Sequence, residues 1–396
     1  MAQPLRQLER RSHRKTQVLT ASARLFLEYG YHNVSVDDIA AAVGLTGPAL
    51  YRHFRNKHDI LEQALDEQMS AFEAVTTGAL AAGGPPETLL PRFLAEIGEL
   101  VIAVDEALLW KRERRHLPPD ERAEFRRRFR ELLAQTVEIV SAARPELSRA
   151  DAELFAWAVL SIHSNSREAR GSLDAATVLR LLGGMAQAVV ACDLTAGAAP
   201  APRRPPAAPD RRPVGRRERV LDAAVRLFAE RGYHAVGIED IAETSDTAIV
   251  TVYQHFASKS DVLQTALTRG VEGLHYVTAH RLAWAGDDAE ALEVVVETGV
   301  DLALGPHRRL LGILAADLLY LPREAQEVIR KVHREHVAEW TAALCAVRPG
   351  LPRSHARALT TTAIALIAEI AQSPACRARP RIDAELRTLA RAVLRA

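Results

Sequence analysis

The sequence predicts an all-α chain made of two consecutive copies of one unit, each a compact three-helix head followed by a longer helical body. Three observations carry that prediction. Apolar residues recur at spacings of three and four along most of the chain, and nowhere do branched residues alternate with polar ones over a useful length. Gly and Pro punctuate these stretches where helices need to stop. Above all, Arg216 to Leu267 repeats Arg14 to Leu65 without a gap, at a constant shift of 202.

The first helix of the first head reads from Gln17 to Glu28. Val18, Leu19, Ser22, Leu25 and Phe26 share one face, and Gly30 ends it. Ser35, with Asp38 three residues on, is a capping signature that opens a second helix whose apolar face is Val36, Ile39, Ala40 and Val43. Gly44 stops it in a left-handed turn, and Thr46 is placed to cap a third helix running to Phe54, its first turn tolerating Gly47 and Pro48. Two short helices about a tight turn form a helix-turn-helix, and the third helix is short and polar enough for a DNA major groove. Leu25, Phe26, Ile39, Leu50 and Phe54 are expected to be the core of this head.

From Asp59 a connecting helix runs through Ile60, Leu61, Ala64, Leu65 and Met69 to the break at Gly83-Gly-Pro-Pro86. The body from Glu87 to about Ala191 reads as helix, interrupted at Leu117-Pro-Pro119 and Ala143-Arg-Pro145. Between Thr195 and Pro213 the composition turns to Ala, Pro, Arg and Gly, which builds no core and favours extended chain. About nineteen residues at about 3.1 Å each reach on the order of 60 Å. The second copy follows. Leu-Phe-x-Glu-x-Gly-Tyr-His stands at 25–32 and 227–234, and Tyr-x-His-Phe-x-x-Lys at 51–57 and 253–259. The bodies also echo each other, Leu117-Pro118 answering Leu321-Pro322 at a shift of 204.

With 396 residues, 48% hydrophobic and 26% charged, the chain has the composition of a soluble protein of two or three domains. A net charge of +1 argues against a general polyanion binder, so contact with nucleic acid must come from local charge. Arg6, Arg10, Arg11, Arg14 and Lys15 form a basic arm ahead of the first helix, and Arg203, Arg204, Arg211, Arg212, Arg216, Arg217 and Arg219 lead into the second head. Three scattered cysteines make neither a disulfide framework nor a metal pattern. No apolar run is long enough for a membrane span, and the N-terminus lacks the apolar core of a signal peptide, so a cytoplasmic location is expected.

The order Leu-Phe-x-x-x-Gly-Tyr, then Val-Asp-Asp-Ile-Ala-x-x-x-Gly-Leu-Thr, then Tyr-Arg-His-Phe-x-x-Lys resembles the N-terminal DNA-binding domain of TetR/AcrR-family transcriptional regulators, and it occurs twice. The resemblance implies two tandem TetR-like units: a DNA-binding domain at 12–60, a helical effector and dimerisation domain at 61–194, a linker at 195–213, a second DNA-binding domain at 214–262 and a second helical domain at 263–396. It also implies a double-stranded DNA operator and a small apolar effector as partners, with the two units forming an intramolecular pseudo-dimer or the chain a homodimer. Phosphate contacts are implied at Thr46, Tyr51, His53 and Lys57, and base contacts at Gly47, Pro48, Ala49 and Arg52, of which only Arg52 can grip guanine with two hydrogen bonds. The matching set in the second head is Thr247, Thr251, Tyr253, Gln254, His255 and Lys259.

The second head departs from the pattern at the turn: Asp246 stands for Gly44, Ala248 for Thr46, and Ile249-Val250 for Gly47-Pro48. Either it reads a methyl-rich half-site or it has become a packing element, which leaves open a scaffold role for the second unit or an adaptor role for the whole chain. Trp110, Phe129, Trp157 and His163, with Trp284, Tyr320 and Trp340 in the second body, are candidates for an effector pocket, although aromatic residues at helical spacing more often form core. His333 and His336 invite a metal reading, but an exposed helix face is expected there and no metal or other cofactor is implied. No nucleophile, base and orienting acid stand in motif context, so no enzymatic activity is expected.

Overall fold

A computed structural model describes residues 2–104, 109–195 and 212–396, with the course of the backbone alone for residues 2–13 and 104. Among the described residues every regular element is a helix. The 195–213 linker lies almost wholly outside the described residues, as do the side chains of Arg6, Arg10 and Arg11. The chain gathers into two compact units, Met1–Ala156 and Trp157–Ala396.

The first unit holds α1 (Ala2–Tyr29), α2 (Val36–Ala42), α3 (Gly47–Leu50), α4 (Lys57–Ala82), α5 (Pro86–Val104), α6 (Leu109–Glu113) and α7 (Pro119–Ala143). The basic arm is not separate from the first helix. Nothing between Ala2 and Gln17 breaks a helix except Pro4, which sits harmlessly in the first turn, and the Leu, Glu, Gln and Arg there are good helix formers. Val18, Phe26, Ile39, Leu50 and Phe54 are all buried as the head's core, and the apolar stripe of α4 continues it through Ile60, Leu61 and Leu65. Arg128 of α7 clamps α4 to the body: its Nε and Nη2 donate to Glu73 at 2.8 and 2.6 Å, and it also bonds Asp66 and Ser70.

Helix α8 (Arg149–Ser164) crosses the division between the units. The second unit continues with α9 (Ser166–Arg170) and α10 (Ala175–Ala191), then α11 (Arg216–Arg231), α12 (Ile238–Ser245), α13 (Ile249–His255), α14 (Lys259–Leu282) and α15 (Asp288–Leu304). Helices α16 (Arg308–Asp317), α17 (Arg323–Val347), α18 (Arg353–Gln372), α19 (Pro374–Arg377) and α20 (Ile382–Arg395) complete it. The break between α9 and α10 was not expected from the sequence; Gly171 turns at φ 50° and Asp174 caps α10, its Oδ1 accepting from Thr177 N–H at 2.9 Å. Helix α10 packs on α18 and α20, and α9 on α18. Ser161 Oγ and Asn165 Nδ2 donate to the two oxygens of Glu369 at 2.7 and 2.8 Å, joining the end of α8 to α18. In this unit the head's core runs without interruption into the body, Phe228, Ile241, Val252 and Phe256 sharing one cluster with Ile313, Leu321, Ala325 and Ile329.

Candidate nucleic-acid interface

In the first head the capping box forms as its residues require. Ser35 Oγ accepts from Asp38 N–H at 3.1 Å and Asp38 Oδ2 accepts from Ser35 N–H at 2.8 Å, and these Ser35 hydrogen bonds hold the Asp38 carboxyl below its usual range. Gly44 takes φ 65°, and the turn closes with Leu45 N–H donating to Ala40 O at 2.8 Å. Helix α3 is shorter than expected, ending at Leu50 and passing through a turn to Phe54. Thr46, Pro48, Tyr51 and Arg52 are exposed on one side of this segment, while Ala49 and His53 are half-buried.

Three expectations for this head need correction. Gly47 is buried, and a Cβ there would stand 2.5 Å from Asp37 Oδ1, so it is a close-packing residue and offers nothing to a base edge. Thr46 occupies the N-cap position of α3 without a side-chain capping bond, which leaves its hydroxyl on the exposed face. Lys57 is turned inward: its Nζ donates to Tyr31 O at 2.9 Å and Val34 O at 2.8 Å and lies 4.4 Å from the centre of the Tyr31 ring. Burial lowers its pKa. It holds the turn between α1 and α2 against the start of α4, which occupies the ammonium group expected to meet phosphate.

The second head repeats that tie. Lys259 Nζ donates to Tyr233 O at 2.9 Å and Val236 O at 2.7 Å and lies 4.3 Å from the Tyr233 ring centre. Tyr51 and Tyr253 have the same exposure, 55% and 54%. The turn that the sequence seemed to have lost is present, because Asp246 adopts the left-handed conformation at φ 55°, ψ 51°, and Thr247 N–H donates to Ala242 O at 3.0 Å. Thr247 does not cap α13; it is half-buried, its Oγ1 is 2.8 Å from Ser245 Oγ, and Ala248 is the uncapped N-cap. Ile249, Val250, Gln254 and His255 join Tyr253 on the exposed face, with Thr251 half-buried. A left-handed backbone costs an ordinary L-residue roughly 1–2 kcal/mol and Asp less, so Asp246→Gly is expected to stabilise the second unit by about 0.5–1 kcal/mol after allowing for glycine's greater freedom when unfolded. Thermal unfolding followed by circular dichroism checks this; a lower midpoint contradicts it.

Each head is gripped from its body by residues whose sequence context does not mark them for that role, Tyr320 among them having been a candidate for the effector pocket. In the first unit, Tyr31 stacks on His116 at 5.2 Å between ring centres, and His32 Nε2 lies 3.1 Å from His116 Nδ1. His116 Nε2 faces the fully buried Glu113 at 3.3 Å; Arg112 Nε donates to Glu113 at 2.6 Å and its Nη2 to Phe26 O of the head at 2.5 Å. Burial pushes the Glu113 carboxyl up, but the His116 hydrogen bond and the Arg112 guanidinium outweigh it and hold the group below the ordinary range. In the second unit Tyr233 stacks on Tyr320 at 6.0 Å, His234 meets Tyr320 edge-on at 4.2 Å, and Asp317 is the buried acid. The repeated Gly-Tyr-His marked one side of this junction; the other side lies 84 residues away from His32 and had no local signature.

The candidate effector residues divide between the units. Trp110 and Phe129 meet at 4.8 Å in the first, where Trp110 closes with Gln68, Met69, Phe72 and Leu132 around a pocket with no room for a water molecule. Trp157 and His163 belong to the second unit, Trp157 half-buried and His163 fully buried with Nδ1 2.8 Å from Val159 O of its own helix. In the second body Trp340 is core, whereas Trp284 is exposed. His336 is not on an exposed face: it is buried, 6.2 Å from the Trp340 ring, and burial first, then His333 and His275, lower its pKa to about 4.

A sequence model of the family described as bacterial regulatory proteins, tetR family, matches residues 18–64 and again 220–266. The HTH-type transcriptional activator FasR of Mycolicibacterium smegmatis is 29% identical over 157 residues, covering 40% of this chain and 71% of FasR. The HTH-type transcriptional repressor KstR of Rhodococcus jostii is 44% identical over 57 residues, 14% of this chain, so that the match spans 27% of that relative's length. A solved TetR-family transcriptional regulator from Bordetella parapertussis is 22% identical, covering 45% of this chain and 92% of its own, with a TM-score of 0.40.

Proposed function

Because the chain belongs to the TetR family of bacterial regulatory proteins and carries the family's DNA-binding module twice, we propose that it is a ligand-responsive repressor whose two heads read one operator as an intramolecular pseudo-dimer. The observation that carries the reading is the matched exposure of Tyr51 and Tyr253, which stand alike in the two heads despite the divergent turn sequences. A packing element has no need of that presentation. Support for the pseudo-dimer comes from the second unit, where α9 and α10, which end the first repeat, pack on α18 and α20, which end the second.

The two reading faces differ in chemistry. Arg52 can take a guanine with two hydrogen bonds, while Ile249 and Val250 suit thymine methyl groups, so the operator is asymmetric. Thr46, Tyr51 and His53 in one head and Thr251, Tyr253 and His255 in the other donate to phosphate oxygens. An apolar effector acts by opening the closed cluster around Trp110. The same short helix α6 carries Trp110 and Glu113, so a ligand that displaces Trp110 moves the grip on Tyr31 and His32. Such a ligand shifts the equilibrium only to the extent that it prefers the displaced state.

The test combines mass with footprinting: a chain that sediments as a monomer and protects two half-sites supports fusion in place of dimerisation. Changing both Tyr253 and His255 to Ala removes two hydrogen bonds to charged groups and is expected to weaken operator binding by about 100-fold, from about 1.5 kcal/mol each. Unchanged affinity would leave the first head as the sole reader and the second unit as a scaffold.

A further inference from the structure

The geometry points to a divalent transition-metal site in the first unit, formed by His58, Glu62 and Glu121. His58 and Glu62 stand one turn apart on the first two turns of α4, and Glu121 lies in the first turn of α7, so ligands from two helices converge from 63 residues apart. One ligand atom of each lies within 4.8 Å of the other two, and His58 Nε2 is already 2.9 Å from Glu121 Oε2. Ligands about 2.0–2.2 Å from a metal stand about 3 Å or a little more apart, so small rotations of the Glu side chains complete the triad.

The chemistry of the set is selective. An imidazole nitrogen with two carboxylates suits a first-row transition ion better than Ca²⁺ or Mg²⁺, which prefer all-oxygen shells. The ion takes the place of the direct His58–Glu121 contact. The three side chains are between 28% and 39% exposed, leaving room for water to fill the remaining positions. Competition is weak: Arg55 approaches Glu62 at 3.9 Å from a largely exposed position and holds Asp59 more closely at 3.3 Å. In the repeat register the second unit has Ser260, Gln264 and Ala325 at these places, none of them an equivalent ligand. One ion per chain is therefore expected.

The consequence is a metal-controlled clamp. His58 follows Lys57 directly, so an ion here ties the start of the connecting helix to the body at the base of the reading head. Titration with Co²⁺ alone, without DNA, reads the site independently of whether the heads bind an operator. The expected result is a visible absorption band saturating at one equivalent, displaced by Zn²⁺, with slower hydrogen exchange of backbone amides at 58–63. Glu62→Gln, a change at a partly exposed side chain that leaves the fold intact, is expected to weaken Co²⁺ binding at least tenfold, and His58→Gln with Glu121→Gln to abolish it. Absence of stoichiometric binding by the unaltered chain, or binding that survives these substitutions, overturns the proposal.

Discussion

Operator affinity is expected to fall about 10³- to 10⁵-fold between roughly 50 and 200 mM salt, as for a protein neutralising about six to ten phosphates. The net charge of +1 provides no general attraction, so this response has to come from cations gathered near the heads. Arg14, Lys15, Arg52 and Arg55 are exposed in the first, and Arg212 and Arg216 in the second. Six neutralised phosphates correspond to a slope of about −5 in a plot of log affinity against log salt. Lys57 and Lys259 are left out of that count because their ammonium groups are bound to backbone carbonyls. Arg14→Ala should therefore reduce the slope by about 1, whereas Lys57→Met should leave the slope and instead lower the stability of the head. Fluorescence titration at several salt concentrations measures both, and a flat response defeats DNA reading altogether.

Glu113→Gln is expected to destabilise the first unit by about 3–5 kcal/mol, the cost of removing one partner from a buried ion pair. The loss is large because Glu113 is fully buried and Arg112 only 16% exposed, so a neutral amide leaves a guanidinium shielded from water with its charge unmatched. Arg112 also holds Phe26 O, and its disturbance reaches the head directly. Urea unfolding of the two variants compares them. The pH dependence has a definite sign. The folded carboxyl titrates below its unfolded value, so its contribution is fully present above about pH 4.5 and disappears as the pH falls through the folded pKa. Acidification through that range should weaken the unaltered chain, and Glu113→Gln should lack that component. Equal stability of the two variants at neutral pH would show that the junction contributes nothing.

What could be read from the sequence was local. Ser35 and Asp38 form their capping box three residues apart, and the spacing of Phe26, Ile39, Leu50 and Phe54 identified most of the head's core, because each depends on periodicity within one or two helices, although Leu25 is only half-buried. The site residues whose roles changed all depend on distant partners. Lys57 looks like a phosphate ligand until the carbonyls of Tyr31 and Val34 come within reach from 26 and 23 residues away. Gly47 looks like a permissive, open helix start until the Asp37 carboxylate is found where its Cβ would stand. Asp246 was the opposite case: its side chain argued against the turn, yet the same backbone hydrogen bonds that close the glycine turn hold it in place. The junction at Glu113 and His116 joins segments that carry no shared motif, and His336 was misplaced because a charged stretch of helix can still turn one face inward.

The paired lysine ties bear on how such a regulator changes over generations. In a symmetric homodimer one codon specifies both halves of the binding site, so any new preference must suit both at once. Here the tie that braces each head is the same in both copies, while residues of the recognition segments, Pro48 and Arg52 against Val250 and Gln254, have already diverged. If both heads read one operator, as proposed, each half-site can be rewritten alone, and a lineage carrying this chain is able to follow an operator that mutates on one side without forfeiting recognition of the other.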